Sequence, residues 1–265
     1  TMSGNLFLAC HHEAPVAVDL PIGQVVVVSR RGPAKKVNQD GALVLELNGV
    51  LVLAVADGMG GHADGEQASR LALASLSSSI AQALEAGDEL RTGILDGFEA
   101  AHDAVESIGT GAGTTLAVAS IDHGTARAIH AGDSSVLLTG QRGSLKFQTV
   151  DHSPTGYAVQ AGMMEEREAL EHAERHVVLS ALGHAGLRID VGSEHDIAAR
   201  DTLVLASDGL TDNLTTAEII EIARKGPLLE AAERLVEFAE ARMAGLDDPT
   251  IGKPDDLTIV LFRRT

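Results

Sequence analysis

Six aspartates of this chain lie at the ends of apolar, strand-like runs, where their carboxylates could bind metal ions. The run 50–56 leads directly into Asp57, and the run 202–207 leads into Asp208. A buried strand that ends in a carboxylate delivers it to the edge of a sheet, and hard divalent cations prefer such oxygen ligands. One Asp-Gly pair after a strand is ordinarily only a turn, but its repetition predicts a cation site. The six residues are Asp40, Asp57, Asp133, Asp208, Asp255 and Asp256.

A site of this kind suits the hydrolysis of phosphate esters. Divalent ions held by carboxylates and a backbone carbonyl neutralise phosphate oxygens and lower the pKa of a bound water, so that no Ser or Cys nucleophile is needed. The glycines that follow Asp57 would let a carbonyl turn onto a metal ion and let a substrate approach closely. The chain lacks the P-loop pattern G-x-x-x-x-G-K-[ST], which disfavours a nucleotide-binding loop of that type.

Composition narrows the class of protein and of partner. The chain has 265 residues, 45% of them hydrophobic, which is enough for one large domain with a substantial core. A formal charge of −18 and an aromatic content of 2% disfavour nucleic acid and anionic membranes as partners. No apolar run is long enough to span a bilayer. Cys10 is the single cysteine, which is compatible with a reducing compartment.

Periodicity predicts the elements that position these carboxylates. We expect residues 1–23, which contain Pro15 and Pro21, to be an irregular extension, and residues 24–265 to form one domain. Hairpins outnumber strand–helix alternations, which favours antiparallel sheets with helices outside, an α+β fold. The predicted strands are 24–29, 43–47, 50–56, 114–121, 125–131, 134–138, 145–150, 191–197, 202–207 and 257–262, and the predicted helices cover 68–80, 90–105, 219–223 and 228–239.

Together the motifs resemble the metal-dependent protein phosphatases of the 2C type in their bacterial form. The resemblance covers about residues 29 to 262, and the matching segments appear in the order of that family. They are Arg31-Gly32, Asn38-Gln39-Asp40, Val55 to His62, Gly111 to Thr115, His130 to Ser134, Asp151-His152-Ser153, Leu179 to Gly183, Ala206 to Leu210 and Pro254 to Thr258.

The resemblance implies a fold and a set of roles. The fold is a β-sandwich of two antiparallel sheets flanked by pairs of α-helices, with a metal cleft at one end that holds two or three Mn²⁺ or Mg²⁺ ions. Asp57 would bridge two ions, Asp133 would bind a third with Asp208, and residues 154–175 would form a flap beside the cleft. The implied metal ligands are Asp40, Asp57, the Gly58 carbonyl, Asp133, Asp208 and Asp255, and the residues expected to carry the reaction are Asp57, Asp208 and Lys35.

The chain departs from the family pattern at several positions near this site. Lys35 replaces an arginine that clamps the substrate phosphate, and a lysine has no bidentate fork, although Arg30 and Arg31 are close enough in sequence to compensate. Asp256 replaces an asparagine, and either adds negative charge or caps a turn. His62 is a candidate general acid or a loop residue.

These features lead to a functional hypothesis with two alternatives. The resemblance implies a serine/threonine protein phosphatase of the bacterial cytoplasm that acts on phosphorylated proteins by metal-activated water and opposes a serine/threonine kinase pathway. The alternatives are a hydrolase of small phosphoesters and a pseudophosphatase that binds phosphoproteins without turnover. The aspartates argue against the pseudophosphatase, and Lys35 is the feature in its favour.

Overall fold

The computed structural model of this protein describes residues 3–7, 14–47, 49–60, 63–246 and 252–264. The strands are Ser3–Phe7 (β1), Val16–Leu20 (β2), Gly23–Arg30 (β3), Asp40–Leu47 (β4), Val50–Met59 (β5), Gly113–Thr114 (β6), Leu116–Asp122 (β7), Thr125–Ala131 (β8), Ser135–Thr139 (β9), Leu145–Gln148 (β10), Asp190–Asp196 (β11), Thr202–Ala206 (β12) and Leu257–Arg264 (β13). The helices are Ala63–Ala86 (α1), Leu90–Glu106 (α2), Pro154–Gln160 (α3), Glu166–Glu171 (α4), Asp208–Thr211 (α5), Thr216–Ala223 (α6) and Leu228–Met243 (α7).

Two antiparallel sheets form the centre of the fold. The first has the strand order β1-β4-β5-β7-β8-β11, with β6 paired to β5, and the second has the order β10-β9-β12-β13-β3-β2. Side chains such as Val27, Leu53 and Phe262 are fully buried in the core that the two sheets share. Alternate residues of a strand point to opposite faces, so strands that are covered on both faces have the nearly continuous apolar sequence seen in β5 and β12.

Helices cover the outer face of each sheet. Helices α1 and α2 pack on the first sheet through an apolar stripe that includes Leu76 and Phe98, and α6 and α7 pack on the second through Ile219 and Leu235. A capping box opens α6, because the Thr215 hydroxyl and the Glu218 carboxylate each bind the other residue's backbone amide. The α+β sandwich of two antiparallel sheets with flanking helices is therefore confirmed.

The N-terminal segment is more regular than the sequence predicted. Residues 1–23 were expected to be irregular, but β1 pairs with β4 and β2 pairs with β3, so that both lie at sheet edges. The burial of β2 alternates between intermediate and exposed, as expected of a half-covered edge strand. A run of five residues between two prolines is too short to show a clear strand periodicity, and this strand is stabilised mainly by its pairing with a neighbouring strand.

The predicted flap region contains two short helices. Helix α3 begins where the Ser153 side chain accepts the Gly156 amide, and α4 follows within the same segment. In the described ranges no helix is both long and apolar enough to cross a bilayer.

Candidate metal centre

Two of the predicted ligands lie side by side on adjacent strands of the first sheet. Asp40 at the start of β4 and Asp57 near the end of β5 are direct partners in the antiparallel register. The Asp57 amide donates to the Thr115 hydroxyl (3.0 Å), and its carbonyl accepts the Thr115 amide (2.9 Å). The backbone that carries the Asp57 carboxylate is therefore held on both sides.

The second sheet brings two more carboxylates to the same region. Asp208 follows β12 directly, and Asp255 shortly precedes β13, the neighbour of β12. The sheets are linked at this point, because the Ser207 hydroxyl donates to Asp40 Oδ2 at 2.7 Å. The apolar runs identified in the sequence thus end at one place.

Gly58 lies where the backbone leaves no room for a side chain. A Cβ atom at this residue would be 2.0 Å from the carbonyl oxygen of Gly65 in α1 and 2.7 Å from that of Gln39. Its amide donates to the same Gln39 carbonyl at 3.1 Å. Only glycine allows this close approach. Close packing alone therefore requires glycine at position 58, whether or not its carbonyl binds a metal ion.

Asp133 reaches the centre from the turn between β8 and β9. The preceding Gly132 has a φ angle of +106°, in the left-handed region that favours glycine. His152 fixes this turn, because its amide donates to the Gly132 carbonyl (3.0 Å) and its Nδ1 accepts the Gly132 amide (3.2 Å). The sequence motif around His152 did not predict these contacts.

The buried carboxylates raise one another's pKa. Burial, followed by the charge of Asp256, raises the pKa of Asp40 well above its usual value. Burial and the neighbouring carboxylates Asp40 and Asp208 do the same for the pKa of Asp57. Burial and the charge of Asp208 raise the pKa of Asp133 to about 8. Negative charge is therefore unfavourable in this region unless a cation compensates it.

Three charged residues near the centre were not among the predicted site residues. Burial, then the charge of Asp133, raises the pKa of Asp151, and burial with the charge of Asp208 raises the pKa of Asp212 to about 7. Lys253 Nζ lies 2.5 Å from a carboxylate oxygen of Asp208 and of Asp212. The spacing of Asp208 and Asp212, four residues apart across a helical turn, was the one signal available.

Lys35 contacts a predicted ligand. Its Nζ lies 2.7 Å from Asp255 Oδ1 and 3.9 Å from Asp256 Oδ2. Burial works against the ammonium form, but the ion pair with Asp255 outweighs it and raises the pKa of Lys35. Arg30, considered above as a compensating cation, pairs instead with Glu240 of α7 at 2.9 Å.

Asp256 has a structural role at the edge of the centre. Its side chain is 2% exposed, and its two oxygens accept the amides of Gly32 (2.7 Å) and Gln39 (2.9 Å). It therefore fixes the loop that carries Lys35 against the start of β13. Of the two alternatives from the sequence, backbone capping describes these contacts, although the negative charge is also present.

The donor set fits a divalent cation. Buried polar atoms normally have hydrogen-bond partners, but among the described residues the buried oxygens Asp40 Oδ1 and Asp208 Oδ1 have none. Mg²⁺ and Mn²⁺ prefer oxygen ligands, and this region holds more carboxylates than positively charged side chains to pair with them. His62, the candidate general acid, lies outside the described residues.

A second group of potential ligands contains two histidines that are held by the backbone, since His130 Nε2 lies 2.9 Å from the Val150 carbonyl and His152 Nδ1 accepts the Gly132 amide. Ligand atoms of His130, His152 and Asp190 lie within 4.8 Å of one another. In the described part of the chain, the predicted aspartates form no group of three that is as close, as expected of carboxylates that repel one another. Burial lowers the pKa of His152, which favours the neutral ring. Because Nδ1 accepts the Gly132 amide, Nε2 carries the proton. This Nε2 atom faces Asp190 Oδ2 at 3.3 Å.

Comparison with known proteins agrees with this architecture. A family profile described as protein phosphatase 2C matches residues 32–249. Protein phosphatase PhpP of Streptococcus pneumoniae is 32% identical over 212 residues, which cover 77% of this chain and 85% of that protein. The solved serine/threonine phosphatase of S. agalactiae superposes with a TM-score of 0.75 at 27% identity, covering 91% of this chain and 99% of that one.

A further solved structure bears on the metal. The catalytic domain of the serine/threonine protein phosphatase PstP, in complex with two manganese ions, superposes with a TM-score of 0.68 at 28% identity, and covers 91% of this chain and 98% of that one. The family profile spans most of the sequence, and the match to PhpP extends over more than two thirds of it. The chain belongs to the protein phosphatase 2C family.

Proposed function

We propose that the carboxylate cluster holds the divalent ions with which this metal-dependent serine/threonine protein phosphatase hydrolyses phosphoserine and phosphothreonine. The observation that carries the proposal is the convergence of Asp40 and Asp57 from one sheet with Asp208 and Asp255 from the other. Burial and neighbouring carboxylates raise the pKa of Asp40 and of Asp57, so their ionised forms are unfavourable unless bound cations compensate the negative charge. Mn²⁺ and Mg²⁺ are the proposed ions, two or three per chain.

The residues divide into those that bind ions and those that orient substrate. When bound, such ions lower the pKa of a water and neutralise phosphoryl oxygens. Asp57 and Asp208 would bind ions from the two sheets, and Asp40, Asp133, Asp255 and the Gly58 carbonyl would complete the set. Lys35 would supply a positive charge for the substrate phosphate at the rim, where it is half-buried beside Asp255.

The test is phosphate release from a phosphothreonine peptide with Mn²⁺, followed by excess chelator. We expect turnover with metal and none after chelation, because the reaction would depend on metal-activated water. Binding of the phosphopeptide without turnover at saturating metal would instead indicate a pseudophosphatase. Turnover of p-nitrophenyl phosphate with no activity on any phosphopeptide would favour a hydrolase of small phosphoesters.

Lys35 gives a separate prediction for substrate binding. We expect Lys35→Ala to lower kcat/KM by about 10- to 100-fold, since a hydrogen bond to a charged group contributes about 1.5–3 kcal/mol. Lys35→Arg should keep or exceed the wild-type value, because a guanidinium binds phosphate in a bidentate manner. Lys36 next to it provides the control, Lys36→Ala. Equal losses in Lys35→Ala and Lys36→Ala would contradict a specific role for Lys35.

The setting of the activity extends the proposal. The substrates would be phosphorylated proteins of the bacterial cytoplasm, and the enzyme would reverse the action of a serine/threonine kinase in signal transduction. The names of its relatives as serine/threonine phosphatases support protein substrates. Residues of the flap segment 154–175 border a cavity of about 400 Å³ that Asp212 also lines, which supports a position of this segment beside the cluster.

A further inference from the structure

Lys253 brings a positive charge into the carboxylate cluster. Its side chain is only 17% exposed, and its Nζ lies 2.5 Å from Asp208 Oδ2, 2.5 Å from Asp212 Oδ2 and 3.9 Å from Asp255 Oδ2. Two of these three carboxylates are proposed metal ligands. The ammonium would therefore compete with a divalent ion for Asp208 Oδ2, while the buried Asp208 Oδ1 has no hydrogen-bond partner among the described residues.

The backbone holds Lys253 in this position independently of its ion pairs. The Lys253 amide donates to Asn213 Oδ1 at 2.9 Å, and Asn213 Nδ2 donates back to the Lys253 carbonyl at 3.0 Å. Asn213 is fully buried, and its Nδ2 also donates to the Gly209 carbonyl at 2.9 Å. The fold thus aims this lysine at the cluster from a rigid base next to α5.

The charges around Lys253 are distributed unevenly. Asp133, Asp208 and Asp212 are mutually repelling carboxylates, and Lys253 is a cation that acts on both Asp133 and Asp212. The charged groups that act most on Asp40 and Asp57 are other carboxylates rather than Lys253. A cation that approaches Asp133 would compete with the ammonium for Asp208 and Asp212, whereas one that approaches Asp57 would compete less.

We propose that Lys253 is a resident cation of the centre, which takes the place of a divalent ion beside Asp133, Asp208 and Asp212. The chain would then bind two divalent ions tightly, at Asp40, Asp57, Asp255 and the Oδ1 atom of Asp208, and a third only weakly. Displacement of a buried, paired ammonium is costly, since it leaves the lysine without its partners. The inference rests on the proposed function, in that the aspartates must bind divalent ions at all.

The experiment is equilibrium dialysis of the whole chain against Mn²⁺, with metal analysis, for wild type and Lys253→Met. We expect Lys253→Met to bind one more ion per chain, or its weakest site to tighten by on the order of 100-fold. Lys225→Met is the control, because it removes the same charge from an exposed ion pair with Glu221. The same number of sites with the same affinities in wild type and Lys253→Met would overturn the inference.

Two further variants make the result decisive. Lys253→Arg keeps the charge and should bind as many ions as wild type, and Lys253→Gln removes the charge but keeps a hydrogen-bond donor in case the methionine variant does not fold. Extra binding by both Arg and Gln variants would show that shape rather than charge controls the site, and would overturn the inference. If none of the proteins binds Mn²⁺, the proposed metal centre fails as well.

Discussion

Asp57→Asn should lose phosphatase activity by about 1000-fold or more while its metal-free form becomes harder to unfold. Activity is lost because metal ions stabilise the transition state by several kcal/mol, and each ~1.4 kcal/mol changes the rate tenfold. Stability is gained because burial and neighbouring carboxylates make the ionised Asp57 unfavourable in the folded protein. A neutral amide removes that repulsion, so the melting temperature should rise by about 2–4 °C for each kcal/mol recovered.

The two effects are measured on the same preparation, by phosphopeptide turnover and by thermal unfolding in chelator. Asp96→Asn removes an equal charge from an exposed residue of α2 and should change neither quantity. A variant that loses activity and also melts below wild type would point to simple misfolding. Full activity in Asp57→Asn would remove this residue from the metal centre.

The metal-free protein should become less stable as pH rises from about 5 to about 8. Asp212 has a folded pKa of about 7 and Asp133 of about 8, whereas both titrate at about 3.9 in an unfolded chain. Over this range the folded state holds more protons than the unfolded state, so deprotonation at higher pH favours unfolding. Each extra proton held by the folded state lowers the free energy of unfolding by about 1.4 kcal/mol per pH unit of increase.

Urea unfolding at several pH values in chelator measures this slope. Saturating Mg²⁺ should make the loss of stability at high pH smaller, because an ion bound at Asp40 and Asp57 competes with protons there. Asp133→Asn combined with Asp212→Asn should make the slope without metal shallower, and the remainder would come from the other buried carboxylates, Asp40, Asp57 and Asp151. A metal-free protein whose stability is constant from about pH 5 to about pH 8 would contradict the raised pKa values of these two residues.

The sequence alone predicts those strands and helices whose apolar periodicity is strong over a short stretch of chain. The run 50–56 is apolar on both faces because helices cover one side of its sheet and the second sheet covers the other, and it lies within β5 as predicted. An Asn-Gly pair between two strand-like runs is typical of a hairpin, and Leu47 pairs with Val50 as a two-residue turn requires, although Asn48 itself lies outside the described residues. The edge strand β2 escaped prediction because its stability comes from pairing to β3.

The site was predictable only where carboxylates follow such strands. Asp57 and Asp208 could be identified because the elements before them are unambiguous, and the structure brings both to the same region. Lys253 could not, since no local pattern distinguishes it from a surface lysine, and its role arises from the hydrogen bonds of Asn213 across the chain. Asp151 lies within one of the family motifs, but the motif does not indicate that Asp151 is close to Asp133 in the folded chain.

The hydrogen bond between Ser207 and Asp40 joins two halves that each have their own apolar cluster and helical layer. An ion bound between carboxylates of both sheets would tie the unfolding of one half to that of the other. Because the two sheets also share a core, removal of the metal should not separate them, but the amides of β5 and β12 beside the carboxylates should exchange faster without it. With metal bound, amide exchange at this end of both strands should slow together, so the cation would also stabilise the junction of the two sheets.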